Sequence, residues 1–317
     1  METEEGKNPI FWGNKRYHTL NYYFRDKFGE KVFKVSLDAG FTCPNRDGKV
    51  AKGGCIFCSS RGSGDFAGNR KFELSQQFRE VKEKMHKKWP KAKYIGYFQA
   101  FSNTYGTAEK LKEMYEIILA EEGVVGLAIA TRPDCLPQDV IDILDSVNKR
   151  SELWVELGLQ TIHEHTQLLI NRGHDYNVFL NGIEKLANKN IKTIVHIIAG
   201  LPGENYKDML ATANAVAQLP IQGIKIHMLH LMKNTPMVKM YQEGKFNFMT
   251  RDEYINLVVD VLEILPPKMV VHRLTGDAPP DLLIEPKWTL KKWEVLNGID
   301  QELEKRNSWQ GKFYNLS

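Results

Sequence analysis

Six times along this chain a short apolar run rich in β-branched residues gives way to a segment with helical spacing. The runs are KVFKVSLDAG from Lys31, YIGYFQAF from Tyr94, VVGLAIATR from Val124, LWVELGLQ from Leu153, IKTIVHIIAGLPG from Ile191 and IQGIKIHMLHLM from Ile221. The intervening segments, among them Leu74 to His86, TAEKLKEMYEIILAEE, LPQDVIDILDSVNK and TRDEYINLVVDVLEIL, repeat their apolar residues at helical intervals. Strands that alternate with helices form a parallel sheet with the helices outside, and strands apolar along their whole length fit burial on both faces. Six units fit a doubly wound sheet or an incomplete barrel. A full barrel needs eight, and the chain after Pro266 does not supply two more. The expected division is an N-terminal extension (1–30), a βα domain (31–265) and a C-terminal extension (266–317) that packs on it. In either architecture, ligands bind at the carboxyl ends of the strands.

The loop after the first run is CPNRDGKVAKGGCIFC, Cys43 to Cys58, with the spacing C-x11-C-x2-C. The N-terminal METEEGKNPIFWGNK is polar and has no apolar signal core, and no apolar run is long enough to span a bilayer. The expected setting is the cytoplasm, with no membrane partner. Disulfides are rare there, and 4 cysteines in 317 residues read as metal-binding. Two metal chemistries fit. A structural zinc site wants four ligands, so Cys135 in TRPDCLPQ would have to complete it; a catalytic zinc uses three and a water. An iron–sulfur cubane held by three thiolates leaves its fourth iron open to a chelating small molecule.

The cysteine loop, with Phe57 before its last cysteine, resembles that of the radical S-adenosylmethionine superfamily. Its long first spacing resembles the branch related to the catalytic subunit of Elongator. The segments HTLNYYFRDKFGEKVFKVSLDAGFTCPNRDG, GSGDFAGN, YFQAFSNTY, TRPDC, ELGLQT and RLTGDAP resemble a bacterial group of that branch typified by YtqA (MnmL), and the resemblance covers nearly the whole chain. It implies an α/β fold, a partial (β/α)6 barrel of radical SAM type. It implies a 4Fe-4S cluster on Cys43, Cys55 and Cys58, with S-adenosylmethionine at the open iron. The implied substrate is the anticodon loop of tRNA. There, 5-carboxymethylaminomethyl-(2-thio)uridine at the wobble position becomes 5-aminomethyl-(2-thio)uridine through a 5′-deoxyadenosyl radical. A flavodoxin or ferredoxin is the implied reductant, and the methyltransferase MnmM the implied next enzyme. A radical enzyme on a small metabolite and a zinc-stabilised RNA-binding protein are the alternatives.

The same resemblance assigns S-adenosylmethionine contacts to Phe57, Gln99, Ser102, Asn103, Gln160, Arg172 and Gly200. Arg172 would clamp the cofactor's carboxylate with its planar fork, and Gly200 would let the adenine approach the backbone. The second-strand motif QAFSNT departs from the family's glycine-rich pattern. Ala130 stands where some relatives carry a ribose-binding acid, so Arg132 or Asp134 would take that role. Cys135 is the catalytic candidate, as donor or acceptor of a hydrogen atom; a buried structural thiol is its other reading. His196, His227 and His230 could face the cavity; alternation along the sixth run sends His227 and His230 to opposite faces, so at most one of those two reaches the site, and a satisfied core histidine is the other reading. Net charge is +4, and Lys71 to Lys93 holds eight Lys/Arg against three Glu. Lys15, Arg16, Arg25, Lys87, Lys88, Lys291 and Lys292 are the candidates for holding tRNA phosphates.

Overall fold

Strands that are apolar on both faces need cover on both sides, and the chain supplies it from helices outside and its own N-terminus inside. A computed structural model describes residues 9–87 and 89–315. The strands β1 (Lys31–Leu37), β2 (Ala92–Phe98), β3 (Val124–Thr131), β4 (Glu152–Gln160), β5 (Lys192–Ala199) and β6 (Gly223–Met228) pair in parallel, each with the next in chain order. A doubly wound sheet reverses its order at a switch point. This order never reverses, so the sheet curls one way into a half-barrel.

The sheet has a seventh strand, β8 (Val270–Arg273), parallel to β6. It is four residues long and comes from the segment expected to be a C-terminal extension, too short a run to register as a further unit. The run from Ile221 to Met232 also differs from expectation. It breaks after Met228, and β7 (Leu231–Met232) turns away to pair antiparallel with β9 (Leu283–Glu285) at the carboxyl end of the barrel.

The outer face is covered by α2 (Leu74–His86), α3 (Ala108–Leu119), α4 (Gln138–Asn148), α6 (Tyr176–Ala187), α7 (Tyr206–Ala217) and α9 (Arg251–Ile264); the short α5 (Glu164–Leu169) follows β4, and the short α8 (Met237–Gln242) lies beside β7. Their buried stripes, such as Val140, Ile141, Leu144 and Val147 of α4, join one core with Val35, Leu37, Val155 and Leu157 of the strands. α10 (Lys292–Lys305) lies on α9 through Val295, Ile299 and Leu303. Gly298 permits that approach, because a Cβ there would stand 2.5 Å from Ile255.

The N-terminal segment fills the inside of the half-barrel. Its helix α1 (Leu20–Phe28) starts at Thr19, whose hydroxyl accepts from the Tyr22 N–H at 3.1 Å, and stops at Gly29 with φ of 71°. Phe24 packs on Val32, Ile95, Ala128, Trp154, Ile194 and Val270, the inward residues of strands across the sheet. The Tyr23 hydroxyl donates to Glu152 at 2.8 Å, and Lys27 pairs with the same carboxylate. Beside the last strand, the Val271 N–H donates to the His18 carbonyl at 2.7 Å. Gln310 locks the end of the chain to that seam, donating to the Pro266 and Met269 carbonyls at 2.7 and 2.8 Å.

Candidate functional site

A cavity of about 440 Å³ opens at the carboxyl ends of the strands, within the range that holds a cofactor-sized molecule. Its rim carries Cys43, Cys55 and Cys58, its wall Ser102, Arg132, Gly158, Gln160 and Arg172, and its floor Lys34, Tyr97, Glu156, His196, Lys225 and His272.

The rim is folded by short backbone links and latched to the loop after α5. The Arg46 N–H donates to the Cys43 carbonyl at 2.8 Å, and the Cys58 N–H to the Cys55 carbonyl at 3.0 Å. Asn45 reaches across to the Asn171 carbonyl at 2.7 Å, and Asn171 answers by donating to the Gly54 carbonyl at 2.8 Å. The latch needs glycine at 173, where a Cβ would lie 2.1 Å from Asn45 Oδ1. All four cysteines are free. Among the described residues no group of three or more His, Cys, Asp or Glu side chains is arranged to hold a single metal ion. Three thiols on one rim suit a cluster, in which each binds its own iron. Burial and the neighbouring Cys55 push the Cys58 thiol up to about 11, so a metal binding there must displace its proton to solvent. Asn45 Nδ2 and Arg172 Nη1 approach Cys55 Sγ at 3.6 and 3.7 Å, donors of the kind that tune a cluster's sulfurs.

Arg172 sits between the rim and the end of β4. It donates to the Gly158 carbonyl, and its Nε is buried without a partner among the described residues. A Cβ at Gly158 would stand 2.8 Å from Arg172 Nη2 and 2.7 Å from Gln160 Nε2, so glycine lets both side chains close over the strand. Gln160 itself is held at φ of 77°, a conformation side chains rarely adopt, beside a register slip in the β4–β5 pairing. An unpaired guanidinium nitrogen next to a thiol rim fits a cofactor that carries both a carboxylate and a group to chelate iron.

Other expected residues divide. Phe57, Gln99 and Ser102 line the cavity, although Gln99 spends its amide on the Ser63 carbonyl at 2.9 Å. Asn103 does not line it. Its side-chain amide donates to the Ala130 carbonyl at 2.9 Å, and its backbone carbonyl accepts from the Tyr115 hydroxyl at 2.6 Å. Gly200 also lies outside the lining, following β5 with φ of 85°. Arg132 lines the cavity but is committed. It forks onto Asp134 at 2.8 Å and donates to the Arg172 and Gly173 carbonyls at 2.8 and 3.1 Å, which makes it a positioning residue for the Arg172 loop. Cys135 is buried, is not among the lining residues, and has its thiol pushed up to about 12 by burial and then by Asp134. Both His227 and His230 line the cavity, against the alternation argument, because β6 ends at Met228 and strand geometry no longer governs His230.

Of the basic candidates, Lys15 pairs with Asp300, Lys291 with Glu294 at 2.9 Å and Lys292 with Asp277 at 3.2 Å. Arg16 lies over Phe11 and reaches the Ser308 carbonyl at 3.4 Å. Arg25 and Lys87 are exposed, and Lys88 falls outside the described residues.

Apart from His196, which lines the cavity as expected, the floor is the feature the sequence reading missed. Glu156 is fully buried, yet it accepts from the Tyr97 hydroxyl at 2.7 Å, Lys34 at 2.7 Å and His196 at 2.9 Å, and pairs closely with Lys225. Lys225 also donates to the Tyr97 oxygen at 3.0 Å. A charged residue in the middle of each of three apolar runs was the available signal. Burial would raise Glu156, but Lys225 and Lys34 carry it well below the usual carboxylate range. Burial lowers Lys225 to about 7 against the pull of Glu156.

The buried histidines make the fold sensitive to acid. Burial, with the Lys225 charge, lowers His196 to about 4, burial lowers His230 to about 4, and it holds His227 and His272 well below 6.5. The unfolded chain takes up these protons as pH falls through about 6.5 while the folded one does not, so stability is full above that value and is lost toward 4. The urea midpoint should fall between about pH 7.5 and about pH 5.5; a flat or rising midpoint would show that these rings are already charged in the fold.

Residues 43–216 match the Radical SAM superfamily, and 221–305 match the Radical_SAM C-terminal domain. The chain is similar to YtqA of Bacillus subtilis (strain 168), 59% identical over 309 residues, which is 97% of this chain and 96% of that protein. It is more distantly similar to a tRNA uridine(34) acetyltransferase of Dehalococcoides mccartyi (strain CBDB1), 27% identical over 178 residues, 55% of this chain and 38% of that one. Among solved structures, the archaeal Elp3 of Methanocaldococcus infernus with residues 1–46 deleted superposes with a TM-score of 0.66 at 18% identity. The match covers 89% of this chain and 64% of that one, a likeness of fold.

Proposed function

Because this chain belongs to the radical S-adenosylmethionine superfamily, whose 4Fe-4S cluster and S-adenosylmethionine its rim fits, we propose that it is a tRNA-modifying enzyme of the wobble uridine. It would convert 5-carboxymethylaminomethyl-(2-thio)uridine to 5-aminomethyl-(2-thio)uridine in the cytoplasm. The observation that carries this reading is the depth of the cavity, which runs from the cysteine rim past Arg172 to a polar floor. A base can stay at the mouth while a slim side arm reaches down. Kinship with a protein named for uridine 34 of tRNA favours a nucleic-acid substrate over a small metabolite.

When bound, the two cofactors supply a 5′-deoxyadenosyl radical able to take a hydrogen atom from carbon. The chain does the rest. Cys43, Cys55 and Cys58 hold the cluster. Arg172 and Gln160 hold the amino-acid end of S-adenosylmethionine beside Ser102 and Phe57. The half-barrel walls keep water from a reactive carbon. The carboxymethyl CH2 next to nitrogen loses two electrons and two protons in all. Water adds to the resulting C=N bond, and the C–N bond breaks to release glyoxylate, leaving the amine on the base. Splitting one S-adenosylmethionine into methionine and 5′-deoxyadenosine takes up those two electrons, so no outside oxidant is needed. A flavodoxin or ferredoxin would supply the starting electron, and MnmM would methylate the new amine.

The test uses tRNA from a strain lacking the gene. Incubated with reconstituted enzyme, S-adenosylmethionine and reductant, it should lose carboxymethylaminomethyl-uridines and gain aminomethyl-uridines. Glyoxylate and 5′-deoxyadenosine should appear in equal amounts. Formation of 5′-deoxyadenosine with an unchanged nucleoside profile would point to another substrate, a small metabolite included.

A further inference from the structure

The floor of the half-barrel does not balance its own charge. Two ammonium groups, Lys34 and Lys225, share the one carboxylate of Glu156. Lys225 is only 6% exposed. Nearby, Arg273 pairs with Asp277 at 3.0 Å and Lys292 shares that carboxylate at 3.2 Å, so this second group also carries more positive than negative charge. The neighbouring rings of His196, His227 and His272 are held neutral by burial. Two lysines against one carboxylate leave an excess of positive charge, which burial opposes by lowering Lys225 to about 7 and which an arriving anion would stabilise.

The hydrogen bonds say where that anion goes. Lys225 donates to Glu156 and to the Tyr97 oxygen; Lys34 donates to Glu156 and lies 3.3 Å from His272 Nδ1. An ammonium has three N–H groups. The third N–H of each lysine has no acceptor among the described residues, and both lysines line the cavity. Tyr97 and Glu156 fix the two nitrogens, so they are preorganised and cannot swing away to follow solvent. The cofactor's own carboxylate does not need them, because Arg172 waits for it at the rim beside Cys55.

We infer that Lys225 and Lys34 form a subsite for a carboxylate carried by the substrate. This rests on the wobble-uridine reading and names what that reading leaves open: the residues that recognise the carboxymethyl arm. With its carboxylate on the floor, the arm is pinned at its far end, and the CH2 between carboxylate and nitrogen is held below the rim. Glu156 is the positioning residue for both lysines, and its own charge rejects an arm that ends in a carboxylate with no lysine to meet it.

The test compares two anticodon stem-loop RNAs, one with carboxymethylaminomethyl-uridine and one with its carboxamide, which keeps the arm's size and removes its charge. The reconstituted full-length enzyme should prefer the carboxylate by roughly 10- to 100-fold in kcat/KM, the scale of one charge-assisted hydrogen bond. Lys225→Met and Lys34→Met should each lose a similar factor on the carboxylate RNA and discriminate far less between the two. Iron content and bound S-adenosylmethionine report whether each variant is loaded. If Lys225→Met does not load, Lys34→Met and the wild-type comparison still decide. Equal wild-type rates on the two RNAs, or loaded variants that keep the wild-type preference, would overturn the subsite while leaving the wobble-uridine reading intact. Turnover of neither RNA by an enzyme that cleaves S-adenosylmethionine would overturn that reading, and the subsite with it.

Discussion

Cys55→Ala is expected to give a folded protein that cannot hold its cluster. Iron and sulfide after anaerobic reconstitution should fall sharply, and 5′-deoxyadenosine formation should drop to background. Fold and site separate here because Cys55 is buried at the rim and does not belong to the main core, whose members are strand and helix residues. Losing one sulfur from a rim latched by Asn45, Asn171 and Arg46 costs little packing. Losing one of three thiolates leaves a second iron without a protein ligand. Cys135→Ala is the contrast: Cys135 does not line the cavity, so its removal should leave iron content near that of the wild type. Undiminished 5′-deoxyadenosine from Cys55→Ala would refute the cluster assignment.

The second large effect is on stability. Glu156→Ala should destabilise the fold by about 3–5 kcal/mol, the usual result of removing one partner from a buried ion pair. The cost follows from the arrangement: without this carboxylate, Lys34 and Lys225 face each other inside the half-barrel, and Tyr97 and His196 lose their acceptor. Glu156→Gln keeps an acceptor and should cost less. Combining Glu156→Leu with Lys225→Met removes charge from both sides and should recover part of the loss. Urea unfolding measures all of these. A change below about 1 kcal/mol in Glu156→Ala would mean that water already solvates the lysines, as it does at exposed pairs.

Much of this was readable in advance. Strand–helix alternation specified the parallel sheet because both periodicities are strong in runs of this length, and Leu74–His86 emerged with its expected ends. The cysteine spacing placed the rim on the loop after β1. What escaped reading depends on neighbours that local periodicity does not report. Asn103 sits in a motif that suggests ligand contact, but its side-chain amide is spent on the adjacent Ala130 carbonyl and its backbone carbonyl on Tyr115. Lys34, Glu156 and Lys225 each look like one polar residue in an apolar run. Only the curl of the sheet aims all three inward, to one point. The aromatic N-terminus read as an appendage because its partners, Val32 to Val270, come from across the whole sheet.

The helix that fills the lower end of the half-barrel has a kinetic meaning as well as a packing one. With Phe24 seated among the inward residues, the lower end of the chamber is stoppered, and the cysteine rim stands at its opposite end. Whatever reaches the bottom passes the rim on its way in and again on its way out. Arrival and departure through such a vessel form a queue, and the shape of the molecule sets its order.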